Sequence, residues 1–185
     1  MLGKEKNADL TKEALGNRIM IVGCGGAGKS TFAAKLGELT GLPVYHLDRY
    51  FWRDWQETPE KEWTDKVTEL ASEDRWIIDG NYSATMEIRL ERADTLIWLD
   101  YGTLTCLSGV LKRVSRNKGK VRPDMGEGCY EKFDWSFIKW VLTFRGKPRK
   151  RIESLINKHS ERVRIITFKN RKAAGDFFAN VFRTP

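Results

Sequence analysis

Five short runs of apolar and β-branched residues punctuate an otherwise polar chain: RIMIV at 18–22, PVYHL at 43–47, RWIID at 75–79, TLIWLD at 95–100 and RVRIITF at 162–168. Each has the length of a strand, and the spans between them carry apolar residues at helical spacing. Phe32, Leu36 and Leu39 share one face of a helix that stops at Gly41 and Pro43, and Leu104, Leu107, Leu111 and Val114 share one face of another. Thr58, Pro59 and Glu60 read as N-cap, first helical residue and first-turn acid ahead of Trp63, Val67 and Leu70. Strands alternating with helices predict an α/β fold, a parallel sheet covered on both faces. The segment NKGKVRPDMGEGCYEKF at 117–133 breaks this rhythm. Its glycines, proline and charges supply no packed element, and a long irregular loop inside a compact domain reads as a lid.

Composition changes this picture little. With 185 residues, 41% hydrophobic and 31% charged, the chain is long enough for one domain with a full core. We place that domain at 18–185, behind a polar N-terminal extension at 1–17 that lacks the apolar stretch of a secretion signal. No run approaches the roughly 18 apolar residues of a spanning helix, so no membrane partner is expected. Cys24, Cys106 and Cys129 are odd in number and far apart, which predicts neither a disulfide framework nor a zinc site and agrees with a reducing, cytoplasmic location. Charge is more informative. Between Lys112 and Arg151 lie 13 Lys and Arg against four acids, so this segment alone carries +9 of a net +8. Whatever polyanion the protein prefers meets this segment.

The first strand-like run leads into Gly23-Cys24-Gly25-Gly26-Ala27-Gly28-Lys29-Ser30, followed by Thr31. This matches G-x-x-x-x-G-K-[ST] in full and in the required context, a strand before and an amphipathic helix after. Glycines 23, 25, 26 and 28 let the backbone wrap a phosphate chain with its N–H groups inward, and the helix adds its positive end. Lys29 would reach the β- and γ-phosphates and the Ser30 hydroxyl would ligate Mg²⁺. Cys24 lies inside the loop and reads as a tolerated small residue. RWIID ends in Asp79 and Gly80, so Asp79 suits a carboxylate that orients the magnesium shell through water, or alternatively caps the next helix. The chain has no base-reading motif of the GTPase type and no helicase or transporter signature, which leaves a small phosphoryl transferase using a nucleoside triphosphate and Mg²⁺.

Taken together, IMIVGCGGAGKST, GLPVYHLDRYFW, RWIIDGNYS, ADTLIWLD, LKRVSRNKGKVRPDMGEGC and IITFKNRKAAGDFF resemble the adenylate-kinase-like branch of P-loop kinases. Within it, the resemblance is to the DNA topology modulation proteins, and it runs from about Arg18 to Phe178. It implies a five-stranded parallel sheet of order 2-3-1-4-5, a mobile lid, ATP held between loop and lid, and a link to DNA supercoiling.

The chain departs from adenylate kinases after Gly80, where DGNYS replaces DGFPR and removes the arginine that grips an acceptor phosphate. YHLDRYFW resembles instead the QDxFY of uridine and nicotinamide riboside kinases, which places Asp48 against an acceptor hydroxyl. A hydroxyl must lose its proton during transfer, whereas a phosphate acceptor is already ionised, so a hydroxyl acceptor is favoured over a nucleoside monophosphate. Asp48 as a turn or helix cap is the alternative. Tyr50, Phe51, Trp52 and Trp55 either stack a flat substrate or cover the sheet edge. Arg53, Gly80, Tyr82 and Arg89 are further candidates for acceptor contacts, while His46 and His159 read as structural.

Arg113 and Arg116 share a helix face just before the lid, and Arg122 is in the lid. In the kinase reading they surround the triphosphate on closure, neutralise the moving phosphoryl group and exclude water. Arg145 and Arg149 are expected to point back into the same site. Asn170 and Arg171 follow the last strand, where the fold flanks the nucleotide base. The rival reading is a nucleotide-gated DNA-binding regulator using KPRKR at 147–151, although the chain shows no recognisable nucleic-acid-binding motif.

Overall fold

The computed structural model describes residues 12–182; the expected extension therefore lies outside the described residues up to position 11. Residues 12–17 belong to the domain rather than to an extension. Glu13–Leu15 form a 3-10 turn, and the Leu15 side chain is fully buried. The Leu15 carbonyl accepts from the Thr95 hydroxyl at 2.7 Å, and Asp94 accepts from the Asn17 N–H at 2.9 Å. A single buried leucine in a polar stretch gives no periodicity to read.

Five strands form one parallel sheet: β1 (Arg18–Gly23), β2 (Val44–His46), β5 (Trp76–Asp79), β6 (Thr95–Leu99) and β7 (Arg164–Phe168), side by side in the order β2-β5-β1-β6-β7. Counted among themselves these are 2-3-1-4-5, the predicted topology. The centre of the sheet is apolar on both faces. Ile19, Met20, Ile21 and Val22 in β1, Trp76, Ile77 and Ile78 in β5, and Leu96, Ile97, Trp98 and Leu99 in β6 are all buried, as expected for parallel strands roofed by helices. The edge strands are less covered, and β2 is only half-buried throughout. A short antiparallel ribbon, β3 (Trp52–Arg53) and β4 (Gln56–Glu57), stands apart from the sheet. Its turn places Asp54 and Trp55 in the left-handed region, with φ of 50° and 61°, as a two-residue hairpin turn demands.

Eight helices complete the described residues: α1 (Lys29–Thr40), α2 (Leu47–Phe51), α3 (Glu60–Ser72), α4 (Met86–Leu90), α5 (Thr103–Asn117), α6 (Trp135–Thr143), α7 (Lys147–His159) and α8 (Arg171–Val181). None of the described helices is long and apolar enough to cross a membrane. Two local expectations change. In α5 the buried residues are Cys106 and Val110; of the predicted stripe, Leu107 and Val114 are half-buried against the core, whereas Leu104 and Leu111 point to solvent, so the packed face is centred off the stripe. The small residues Cys106 and Gly109 allow α5 to approach the chain beneath it more closely than leucines would. Thr58 does not cap α3; its hydroxyl donates to the Tyr50 and Phe51 carbonyls at 2.9 Å and so ties the ribbon to α2.

Candidate active site

The turn from β1 into α1 is built to leave backbone amides uncommitted. Gly28 has φ of 94° and lets the loop swing into the first turn of α1, where Lys29, Ser30 and Thr31 offer unsatisfied N–H groups. The Lys29 ammonium lies over the loop and donates to the Cys24 carbonyl at 3.3 Å. Asn81 braces the base of the loop from the neighbouring strand: its Oδ1 accepts from the Gly23 N–H at 3.0 Å and its Nδ2 donates to the Gly23 carbonyl at 2.9 Å. Gly23 is thereby a fixed hinge beneath the loop rather than a ligand-facing amide. From above, α5 crosses so closely that a Cβ on Gly26 would overlap the Cys106 carbonyl, and one on Gly109 would overlap the Gly26 carbonyl. The neighbouring Cys106 thiol, with burial, pushes the Cys24 thiol up, away from the reactive thiolate.

A cavity of about 1140 Å³ opens from this loop at the C-terminal end of the sheet, where open α/β sheets bind ligands. Gly25 to Thr31 form its floor, Gly109, Lys112, Arg113 and Arg116 of α5 and Arg171 of α8 one wall, and His46, Asp48, Trp52, Glu57, Gly80, Asn81 and Tyr82 the other. Arg122, Pro123 and Asp124 close it from the lid. The sequence-predicted residues Gly25, Gly26, Ala27, Gly28, Lys29, Ser30, Thr31, Asp48, Trp52, Gly80, Tyr82, Arg113, Arg116, Arg122 and Arg171 thus meet around one space.

Other candidates do not reach it. Arg89 is fully buried and donates to the Gly80, Asn81 and Tyr82 carbonyls at 2.9, 2.7 and 3.2 Å. It shapes the 80–82 turn from behind, and burial lowers its pKa to about 9. Arg53 lies on the outer side of the ribbon, 81% exposed, and faces Glu127 at 3.9 Å. Asn170 caps α8 through the Ala173 N–H at 2.9 Å and is absent from the cavity wall. Arg149 grips Asp100 through two contacts of 2.9 Å and pairs with Glu153, and Arg145 lies 3.7 Å from Asp100. Neither points into the cavity. Asp79 is buried below the wall and bonds His46 at 3.1 Å, because the two are register partners on β2 and β5. Burial opposes the charge on His46, but the Asp79 carboxylate, helped by Asp124 and Asp48, outweighs it and raises the His46 pKa.

The acceptor wall centres on Asp48. Its Oδ1 accepts a 2.6 Å hydrogen bond from the Tyr82 hydroxyl. Tyr82 holds an uncommon left-handed backbone, φ 34°, and its ring packs against Phe51 and Trp63 with centroids 4.7 Å away in each case. Burial pushes the Asp48 pKa above the usual carboxylate value; the Tyr82 hydrogen bond and the Lys29 charge pull the other way without cancelling it. The aromatic cluster divides its work. Phe51 is packing, Trp52 lines the cavity, and Trp55 stands at the exposed tip of the ribbon.

The lid, residues 118–133, is a loose hairpin closed by a bridge between Val121 and Tyr130. At its root Glu131, 5% exposed, takes ion pairs from Arg122 at 2.8 Å and Arg113 at 3.2 Å. Arg122 also pairs with Asp124 at 2.8 Å. Burial, with the like charge of Arg122, lowers the Arg113 pKa against the pull of Glu131. Sequence reasoning missed Asn81, Gly109, Glu131 and the cavity-facing His46. Asn81 was within reach, since it directly follows the Asp-Gly that ends β5; Glu131 was hidden as one acid in a basic segment.

The set of hard oxygen donors, the Ser30 hydroxyl with Asp48 and Asp79 nearby, suits a magnesium ion held mostly by phosphate and water. No cluster of three or more acidic, histidine or cysteine side chains capable of caging a metal occurs among the described residues.

No protein-family model and no curated protein matches the chain. Solved structures do. A shikimate kinase from Acinetobacter baumannii in complex with shikimate is 20% identical at a TM-score of 0.52, covering 88% of this chain and 89% of its own. A gluconokinase from Sinorhizobium meliloti 1021 is 14% identical at 0.53, covering 91% and 90%. A shikimate kinase from Bacteroides thetaiotaomicron is 15% identical at 0.50, covering 88% and 94%. This chain has the P-loop kinase fold. The DNA topology modulation resemblance has no counterpart among these structures, and the likeness at such identities speaks for the fold alone.

Proposed function

We propose that the protein is an ATP- and Mg²⁺-dependent kinase that phosphorylates a hydroxyl of a small molecule. The observation that carries this reading is Asp48. It stands in the first turn of α2, just past β2, on the cavity wall opposite the phosphate loop, is oriented by Tyr82, and feels the Lys29 charge. The solved structures similar in fold include kinases named for shikimate and gluconate, both hydroxyl compounds, which supports the same class.

In this reading the loop amides and Lys29 cradle the β- and γ-phosphates, Lys29 exchanging the Cys24 carbonyl for phosphate oxygens. Ser30 would hold a magnesium ion directly and Asp79 would orient its water shell, and the ion would supply charge neutralisation to the phosphates. Arg113 and Arg116 neutralise the transferring group, while Arg122, held by Asp124 and Glu131, closes the site from the lid. The acceptor oxygen forms a bond to the γ-phosphorus as the bond to the β–γ bridging oxygen breaks, and the hydroxyl proton passes to Asp48. The products are ADP and a phosphate ester, and Asp48 then returns its proton to solvent.

An acceptor that is itself a phosphate has weaker support, because Arg89 is turned into the protein and no arginine of the 80–82 turn faces the cavity. For DNA binding, Arg149 of the basic run is already held by Asp100 and Glu153. The reducing cytoplasm suits the free, buried Cys24 and Cys106. A screen of alcohols, sugars, nucleosides and nucleoside monophosphates coupled to ADP release tests the reading. Transfer to a hydroxyl, abolished by Asp48→Asn with ATP binding retained, is expected; transfer only to a monophosphate, indifferent to that change, would refute it.

A further inference from the structure

The cavity is divided by charge. Its lining cations Lys29, Lys35, Lys112, Arg113, Arg116 and Arg171 lie on the loop and on α1, α5 and α8, the side that meets the triphosphate. The three carboxylates that line it, Asp48, Glu57 and Asp124, all lie on the opposite side. There the one arginine, Arg122, is already neutralised by Asp124 and Glu131, each at 2.8 Å. The two arginines that could have balanced this wall are turned away, Arg53 toward Glu127 and Arg89 into backbone carbonyls.

Glu57 makes the asymmetry consequential. It is exposed, has no ion-pair partner among the described residues, and is the register partner of Trp52 in the ribbon. Register partners in an antiparallel pair project to the same face, and both residues line the cavity. An open carboxylate beside an indole face, with Tyr82 and Asp48 further in, is a set of groups that attracts a cation and repels an anion.

We propose that the acceptor is an amino alcohol, a small hydroxyl compound whose protonated amine is held by Glu57 against Trp52 while its hydroxyl meets Asp48. This rests on the hydroxyl-kinase reading above and narrows it. A carboxylate-bearing acceptor would instead meet the open Glu57 carboxylate and Asp48, with Arg122 held by Asp124 and Glu131 and His46 held by Asp79. An ammonium group also leaves the cationic side of the cavity to the nucleotide, so the two substrates sort themselves by charge.

The test uses two matched series, glucosamine, glucose and gluconate, and ethanolamine, ethylene glycol and glycolate, with AMP as a control. ADP release above acceptor-free hydrolysis is measured with the full-length protein, and phosphate esters are identified by ³¹P NMR. The amine should have the highest kcat/KM in a series. Glu57→Gln should raise its KM about tenfold or more with kcat and the KM for ATP nearly unchanged, the effect of losing one charged contact. Glu57→Asp should recover part of the loss. Preference for the neutral or acidic member, or a Glu57→Gln protein indistinguishable from wild type, overturns the proposal while leaving a hydroxyl kinase intact. Transfer to AMP alone overturns the hydroxyl reading and this inference with it. If no compound turns over, calorimetry of glucosamine and gluconate with the Mg–AMP-PNP-bound protein decides: tighter glucosamine binding, weakened by Glu57→Gln, supports the proposal, and any other order refutes it.

Discussion

The Tyr82 hydroxyl donates a 2.6 Å hydrogen bond to the carboxylate of Asp48, joining the turn after β5 to the start of α2 on the inner wall of the cavity. The bond favours the ionised carboxylate that a general base requires, while burial disfavours it. Because the folded Asp48 pKa lies above its ordinary value, turnover should fall as pH drops through that raised value. Tyr82→Phe removes a contribution that lowers the pKa, so the acid limb of the kcat profile should shift to higher pH. A pH–rate profile of the two proteins checks this; an unmoved limb would mean that another group sets it.

The same shift has a consequence for stability. A carboxylate whose pKa is raised on folding holds its proton more tightly in the folded state, so its ionisation destabilises the fold. The penalty is absent below the unfolded pKa near 3.8 and complete above the folded one. Asp48→Asn should therefore melt at or above the wild-type temperature at pH 7 while losing roughly 10²-fold or more of its transfer rate. Calorimetry beside the coupled assay measures both; a clear loss of thermal stability would show that Asp48 is structural.

Lys29→Ala should keep the fold, since among the described residues its ammonium hydrogen-bonds just the Cys24 carbonyl, but lose Mg-ATP affinity and nearly all turnover. Nucleotide titration followed by fluorescence tests this, and unaltered binding would remove the assignment of the loop.

Gly109→Ala drives a methyl into the Gly26 carbonyl and the Arg171 guanidinium. We expect a loss of about 1–3 kcal/mol in stability, as for overpacking elsewhere, and a larger proportional loss of ATP affinity, because the displaced atoms belong to the phosphate loop. Denaturant unfolding and nucleotide binding on the same variant separate the two effects.

The +9 segment predicts weak binding to DNA that is indifferent to ATP or ADP and lost by about 200 mM salt, as counterion release requires. Fluorescence anisotropy with linear and supercoiled DNA at two salt concentrations checks it. Affinity that survives salt and depends on the nucleotide would favour a DNA-regulatory role.

The parts legible in the sequence are those where one segment carries the whole signal. Apolar runs fix the strands, and the phosphate loop is a contiguous motif whose conformation follows from its own glycines. Arg89 and Arg53 were misread because an arginine's role depends on which carbonyl or carboxylate lies opposite, and those partners come from other segments. Arg149 is the same case, taken up by Asp100 at the end of β6. Gly109 looks like a helix weakness until the loop beneath it is known. The lid looked structureless because its order comes from a backbone bridge and one buried glutamate, neither of which leaves a periodic trace.

The lid also rests on the ribbon through main-chain contact. The Asp54 N–H donates to the Glu127 carbonyl at 2.9 Å, the Trp55 N–H to Cys129 Sγ at 3.4 Å, and a Cβ on Gly126 would overlap the Trp52 carbonyl. The cover over the nucleotide side and the ribbon that carries Trp52 and Glu57 are therefore one door with a shared latch. In the kinase reading, any swing of the lid wide enough to part these contacts would disturb the acceptor wall as well, so the two halves of the cavity would open together rather than separately.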